Sequence, residues 1–304
     1  MITIGTDCSG IEAPIEALRQ LRISYKHIWS CEIDKYARQS AYANYEIPEY
    51  TYNDITLRNH RELPNVDIYV CGFPCQTFSL LGKKMGMNDK KGTIMEHCIE
   101  VIKVKLPKIF ILENVKNFKY IDKGKPYNYL INSLENIEKY NIYSDIYNTK
   151  DYGIPQNRER IYIIGIRKDI EKTPYIKPKI KKCKPLKNFL LDHTIYERKN
   201  LTKYQKINLQ KAEEKTNELS IILSSNYISI MEGLCPTLNT QCCNYYINNY
   251  NRCLNPYECL LLQGFKKTFK QAVSNTQLYK QSGNSMSVNV LKEIFKNIFK
   301  SVCV

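Results

Sequence analysis

Through its first half the chain alternates short apolar runs with amphipathic stretches, and this alternation restricts the fold more than any other feature. Strand-like runs lie at Ile2–Thr6, His27–Cys31, Asp67–Cys71 and Lys108–Leu112, with one more at Tyr162–Ile166. Helix-like stretches lie at Ile11–Arg22, Lys35–Tyr45, Ile94–Val104 and Tyr127–Tyr140. Strand, helix, strand, helix in regular order predicts a parallel α/β sheet covered on both faces. The texture changes after Arg167. Pro174, Pro178 and Pro185 stand among many lysines, which predicts an extended linker, and a polar, basic, poorly periodic region follows to about Tyr250. Leu291–Phe299 is again amphipathic. The expected organisation is a large α/β domain over 1–184, a smaller domain with its hinge over 185–281, and a C-terminal segment, 282–304, that returns to the first domain.

Composition narrows the function classes. The 304 residues are 43% hydrophobic and 25% charged, which excludes a disordered tail or a small disulfide scaffold. The longest strongly apolar stretches, such as Ile161–Ile166, fall far short of a bilayer span, and MITIGTD carries no signal-peptide pattern. The expectation is a cytoplasmic protein with no membrane partner. A formal charge of +15 points to a polyanion, most naturally nucleic acid, although AT-rich codon usage also favours lysine. Clustering argues beyond codon usage: between Lys168 and Lys215 there are 14 Lys/Arg against 6 Asp/Glu, a net +8. The 12 cysteines show no paired C-x-x-C, so reduced thiols and no metal are expected.

In open α/β sheets ligands sit beyond the carboxyl ends of the strands. After the first run comes Thr6-Asp7-Cys8-Ser9-Gly10, where Gly10 would let the turn approach a ligand, while Glu12 and Ala13 stand where further glycines would be expected. Glu32 follows the second strand, 22 residues beyond Gly10, and suits a ribose diol or a solvated loop equally. Asp54 could accept from an adenine amino group or cap the next turn. Cys71-Gly72-Phe73-Pro74-Cys75 places a cysteine at a stiffened strand end, where a thiolate could attack an electrophile. The loop beyond it, with Gly82, Gly86, Gly92, Lys83 and Lys84, could close over a polyanion. Glu113 ends the neighbouring strand and would share that pocket, as a proton donor to a ring nitrogen or as a structural salt bridge. Arg158 and Arg160 share one face of an extended chain, able to orient Glu113 and donate to a substrate carbonyl, or to pair with Glu159 at the surface.

Together these segments resemble the cytosine carbon-5 DNA methyltransferases. Gly72-Phe73-Pro74-Cys75-Gln76 matches the nucleophile motif, Glu113-Asn114-Val115 the ENV motif, and Tyr152 through Arg160 the QxRxR motif with its upstream flank. Asn255-Pro256-Tyr257-Glu258-Cys259 with Gln263-Gly264-Phe265, and Tyr279 through Ser285, resemble the closing segments, in family order. The resemblance implies a Rossmann-like S-adenosylmethionine-dependent methyltransferase sheet with a smaller target-recognition domain, acting as a monomer on double-stranded DNA. It implies that Cys75 adds to carbon 6 of a flipped cytosine, that Glu113 engages ring nitrogen 3, and that Arg160 contacts the base carbonyl with Arg158 in support. It also puts Cys8, Gly10, Glu32, Ile33, Asp54, Ile55, Pro74, Ile94 and Asn284 at the cofactor. The family's usual phenylalanine is Cys8 here, and its tryptophan beside the ribose acid is Ile33. An RNA (tRNA) cytosine methyltransferase is the alternative enzyme, though the CFT element of that branch is missing. A catalytically dead binding module is disfavoured, since Cys75, Glu113 and Arg160 are all present.

Overall fold

The structure is a computed structural model and describes residues 1–74, 94–191, 201–215, 219–222, 230–250 and 252–302. The chain forms two compact units. The first comprises Met1–Tyr147, Glu159–Pro178 and Leu291–Val304; the second comprises Asn148–Arg158 and Lys179–Val290. The divisions therefore fall elsewhere than at the expected 184/185 and 281/282: the stretch 148–158 joins the second unit, which also runs on to Val290.

Along the chain the elements are β1 (Ile2–Asp7), α1 (Ala13–Leu21), β2 (Tyr25–Cys31), α2 (Lys35–Asn44), β3 (Tyr50–Tyr52), β4 (Ile68–Cys71), α3 (Ile94–Lys105), β5 (Ile109–Val115), α4 (Lys125–Glu135), β6 (Tyr140–Asn148), β7 (Gln156–Asn157) and β8 (Glu159–Arg167). Seven of these strands form the sheet of the first unit, in the order β3-β2-β1-β4-β5-β8-β6. The first five run parallel, and β8 runs antiparallel to β5. The sheet is parallel over five strands, as expected, and mixed where β8 joins it. The chain moves outward from β1 through β2 to β3, then restarts on the other side with β4. The gap between the ends of β1 and β4 is thus a topological switch point.

All four residues of β4 are buried, as a strand covered on both faces requires. One face meets Met95, Cys98, Val101 and Ile102 of α3 and Leu130 and Leu134 of α4, packed with Trp29, Tyr69, Phe110 and Leu112. Each large apolar side chain buried this way contributes about 1.5–3 kcal/mol. The helix expected over Tyr127–Tyr140 stops at Glu135, because Glu138 takes a left-handed φ of 60° and turns the chain into β6. That strand is an edge with mostly half-buried residues, so it lacks the apolar run that betrays its neighbours.

The second unit continues with α5 (Lys203–Lys215), β9 (Ser220–Ile222), β10 (Ile230–Glu232), β11 (Cys235–Pro236), β12 (Tyr246–Ile247), β13 (Arg252–Cys253), α6 (Pro256–Leu262), α7 (Asn275–Asn284) and α8 (Val288–Ser301), the last passing into the first unit. Its antiparallel sheet has the order β10-β9-β12-β13, and β11 pairs with β7. The region whose sequence is poorly periodic, where a smaller domain is expected, holds a helix and short strands. Asn255 and Glu258 close a capping box at the start of α6, and Glu258 also takes both arms of Arg252, at 2.6 and 2.8 Å. Leu291, Ile294, Phe295 and Ile298 of α8 are fully buried, at the i, i+3, i+4, i+7 spacing of one helix face. Ser301 accepts from the backbone of Lys172, and Lys292 reaches Gln20 of α1, so the helix end is fastened within the first unit. Among the described residues no helix is long and apolar enough to cross a membrane.

Two sheet glycines admit neighbouring aromatic rings. A Cβ on Gly165 of β8 would lie 2.0 Å from a ring carbon of Phe110, and one on Gly5 of β1 would lie 2.2 Å from Trp29. Gly165→Ala is expected to lower stability by about 1–3 kcal/mol through overpacking, read as an earlier midpoint in urea. An unchanged midpoint would show that Phe110 yields freely.

Candidate active site

The turn after β1 carries a run of left-handed residues: Cys8 (φ 47°), Gly10 (φ 54°) and Glu12 (φ 60°). Around the Gly10 Cα the space is open, with nothing within 4 Å of where a Cβ would stand. The Gly10 amide donates to Glu32 Oε2 at 2.7 Å, and the Asp34 amide to Oε1 at 2.8 Å. Glu32 is thereby locked at the carboxyl end of β2. Each of its oxygens has a second lone pair, so the carboxylate can still receive vicinal hydroxyls. Burial pushes the Glu32 pKa up, while the two amides hold it down. Ile33, beside it, is 73% exposed and offers an apolar surface. Asp54 caps the short turn Ile55–Leu57 by accepting from the Thr56 amide and hydroxyl, both at 2.8 Å, and Ile55 is buried beneath it. Pro74 is exposed, and Ile94 opens α3 half-buried against the core. A carboxylate anchored at the exit of β2, a turn with open space over Gly10 and an exposed aliphatic surface fit an adenosyl cofactor.

Glu12 explains how a carboxylate replaces a family glycine. It is buried, accepts from the Thr6 hydroxyl at 3.0 Å, and has its pKa raised to about 8 by burial. His27, 3.8 Å away, is lowered to about 4 by the same cause. At neutral pH both are uncharged, so their contact is not an ion pair.

Glu113 and Arg160 meet across the β5–β8 ladder. Val115 pairs with Arg160 and Glu113 with Tyr162, so the two side chains lie diagonally on one face. Arg160 Nε stands 3.3 Å from Glu113 Oε1, with the side chains 15% and 11% exposed. Arg160 also donates to the Glu159 carbonyl at 2.8 Å, and Lys116 bridges the Glu159 carboxylate at 2.9 Å. Asn114 donates to the Phe73 carbonyl at 3.0 Å, tying the end of β5 to the exit of β4. Cys75 and the loop with Lys83, Lys84, Gly82, Gly86 and Gly92 lie outside the described residues. The ten described cysteines are free thiols; Cys98 donates to Cys71 at 3.3 Å, and burial holds Cys71 well above the usual thiol range.

Arg158 does other work than the sequence suggests. It stands at the break between β7 and β8, which belong to different sheets, so the extended face shared with Arg160 does not form. Its buried guanidinium donates to the carbonyls of Leu238 (2.8 Å), Gly283 (3.2 Å) and Ser285 (2.8 Å). Two of these flank Asn284, an exposed residue at the end of α7. Gln156 joins in, donating to the Leu262 carbonyl and accepting from the Leu238 amide, while Gln263 donates to Ser282. Sequence reasoning missed Gln156 and Gln263 as organisers of this knot; Gln263 was signalled only as a polar residue inside an apolar segment, and Gln156, at the head of a polar run, had no such signal.

The profile of the C-5 cytosine-specific DNA methylases matches residues 6–300. The chain belongs to that family. It is 34% identical over 292 residues to the Type II methyltransferase M.HhaI of Haemophilus parahaemolyticus, covering 90% of this chain and 88% of that protein. It is likewise 34% identical over 288 residues to M1.ScrFI of Lactococcus lactis, covering 90% and 72%. A prophage-encoded methyltransferase of Escherichia coli shares the fold, with a TM-score of 0.73, 20% identity and 99% of each chain covered. This cytosine-5 methyltransferase transfers a methyl group from S-adenosylmethionine to carbon 5 of cytosine in DNA. The DNA family fits better than the RNA alternative.

Two outcomes follow from these buried groups. Folded Glu12 keeps its proton to about pH 8, whereas unfolded it releases it near 4.5, so stability drains away as pH rises between those values. Glu12→Gln should abolish this loss, widening its advantage over wild type by on the order of 1 kcal/mol per pH unit across that window. His27 acts in the opposite sense below pH 6.5 in both proteins, so thermal melts from pH 5 to 8 isolate the difference. Arg158→Ala removes a donor from three buried carbonyls, leaving Ser285 only the longer bond from Gln263 at 3.4 Å, and should cost about 3 kcal/mol or more, read as a loss of amide exchange protection around Leu238 and Ser285. Retained protection would mean the knot does not depend on the arginine.

Proposed function

We propose that Glu113 and Arg160 hold the target cytosine and that Cys75 is the nucleophile. The observation that carries this reading is the Glu113–Arg160 pair, 3.3 Å apart on one face of the antiparallel ladder. The guanidinium keeps the carboxyl oriented and leaves donors for the base carbonyl. A carboxyl so held can give a hydrogen bond or proton to ring nitrogen 3. The Cys75 thiolate forms a bond to carbon 6, and the displaced electron pair makes carbon 5 an enamine-like nucleophile. S-adenosylmethionine supplies the methyl group as a sulfonium. Loss of the carbon 5 proton then re-forms the double bond as the sulfur–carbon 6 bond breaks. Neither face of the ring is reachable in a duplex, so the base must leave the stack, at a cost of a few kcal/mol.

Cys8, Gly10, Glu32, Ile33, Asp54, Ile55, Pro74 and Ile94 are the cofactor contacts in this reading, and Asn284 is added on family resemblance. Arg158 is a holder of the backbone around Asn284 rather than a contact to the base. The substrate is double-stranded DNA, and the second unit selects the sequence, with the exposed Lys181, Lys182 and Lys184 on its phosphates. The enzyme works as a monomer in the cytoplasm. The names of its Type II relatives suggest a place in restriction–modification.

Cys75→Ser should abolish methyl transfer while cofactor binding persists, and a 5-fluorocytosine duplex should trap wild type through Cys75. Glu113→Gln and Arg160→Ala should each lower kcat by about 10²–10⁴ with little change in DNA affinity. An adduct mapped to another cysteine, or losses confined to DNA binding, would overturn the assignment.

A further inference from the structure

We propose that Arg58 is a positioning residue for the S-adenosylmethionine pocket, acting through a buried ion pair with Asp7. The proposal rests on the reading of Cys8, Gly10, Glu32 and Asp54 as the cofactor wall. Arg58 follows the short turn that Asp54 caps, and its guanidinium meets Asp7 Oδ2 at 2.5 Å. The two side chains are 4% and 0% exposed. The same carboxylate oxygen accepts from the Tyr69 hydroxyl at 2.8 Å. The guanidinium lies 4.9 Å from the Trp29 ring and 5.2 Å from the Tyr52 ring. Its Nε points at His60 Nδ1, 3.4 Å away, and His60 is paired in turn with His97 of α3 at 2.8 Å.

These partners come from four adjacent strands, and each strand exit carries a residue of the wall. Asp7 ends β1, immediately before Cys8 and Gly10. Trp29 is in β2, which leads to Glu32. Tyr52 ends β3 and leads to Asp54. Tyr69 is in β4, which leads to Pro74. A single guanidinium therefore touches residues of three of these strands and reaches the fourth through Asp7. A planar fork with two stackable faces can do this, whereas an ammonium cannot. Burying such a pair is weak evidence for stability, since desolvation offsets most of the attraction. What the pair supplies is one fixed geometry at the base of a turn whose backbone takes three left-handed residues.

The test measures binding of S-adenosylhomocysteine by calorimetry to the DNA-free enzyme, together with KM for each substrate, kcat and Tm, for Arg58→Met and Arg58→Lys. Arg58→Met should raise the cofactor dissociation constant and the cofactor KM about tenfold, with kcat and the DNA KM within about twofold. Arg58→Lys, which keeps the charge and loses the fork, should show a smaller shift in the same direction. It also decides the matter if the methionine variant does not fold. A lower Tm with unchanged cofactor affinity would overturn the proposal, because the pair would then serve the fold alone. Glu32→Ala separates the two levels. If it too leaves affinity unchanged, the wall reading fails and the proposal falls with it; if it weakens binding while the Arg58 variants do not, only the proposal fails.

Discussion

Parallel pairing of five strands sends every strand exit to the same edge of the sheet, and the chemistry of this enzyme depends on that constraint. A crossover must carry the chain back before each new parallel strand begins, so residues far apart in sequence arrive side by side. Asp7, Glu32, Asp54 and Phe73 leave from β1, β2, β3 and β4 in this way. Antiparallel hairpins would have sent half of them to the opposite edge. The exception is equally consequential. Because β8 runs against β5, Arg160 at its start meets Glu113 near the end of β5.

Charge placed in the interior organises the rest. Arg158 is held by carbonyls, Arg252 by the two oxygens of Glu258, and Arg58 by Asp7 and two aromatic rings. In each case a cation with fixed donor directions ties its own segment to a partner far off in the chain: Leu238, Leu191 and Asp7 respectively. Glu12 shows the opposite solution: with no cation close by, burial keeps it protonated, and it acts as a neutral hydrogen-bonding group.

Much of this was legible from residue pattern, and the reasons differ by element. The runs 2–6, 27–31, 67–71 and 108–112 announce strands because burial on both faces demands continuous apolar residues. β6 was hidden because an edge strand needs no such run: its YNIYSDIYN reads as polar. The direction of β8 could not be read, since apolar content is the same whichever way a strand runs. Glu113 and Arg160 were found because their motifs lie on the strands that hold them. Arg158 was misread as sharing a face with Arg160, because the break after Asn157 depends on the pairing of β7 with Cys235–Pro236, 79 residues downstream in the chain. Arg58 had no signal at all: an isolated arginine in a polar loop looks solvated until the fold wraps it in rings.

The diagonal placement of Glu113 and Arg160 has a consequence for quality control. Side chains on a strand alternate faces at every residue. Sliding β8 by a single position along β5 would turn Arg160 to the opposite face from Glu113 and carry Phe110 off the one neighbour that leaves room for its ring, Gly165. A misthreaded sheet thus loses the Glu113–Arg160 contact and its packing in the same step.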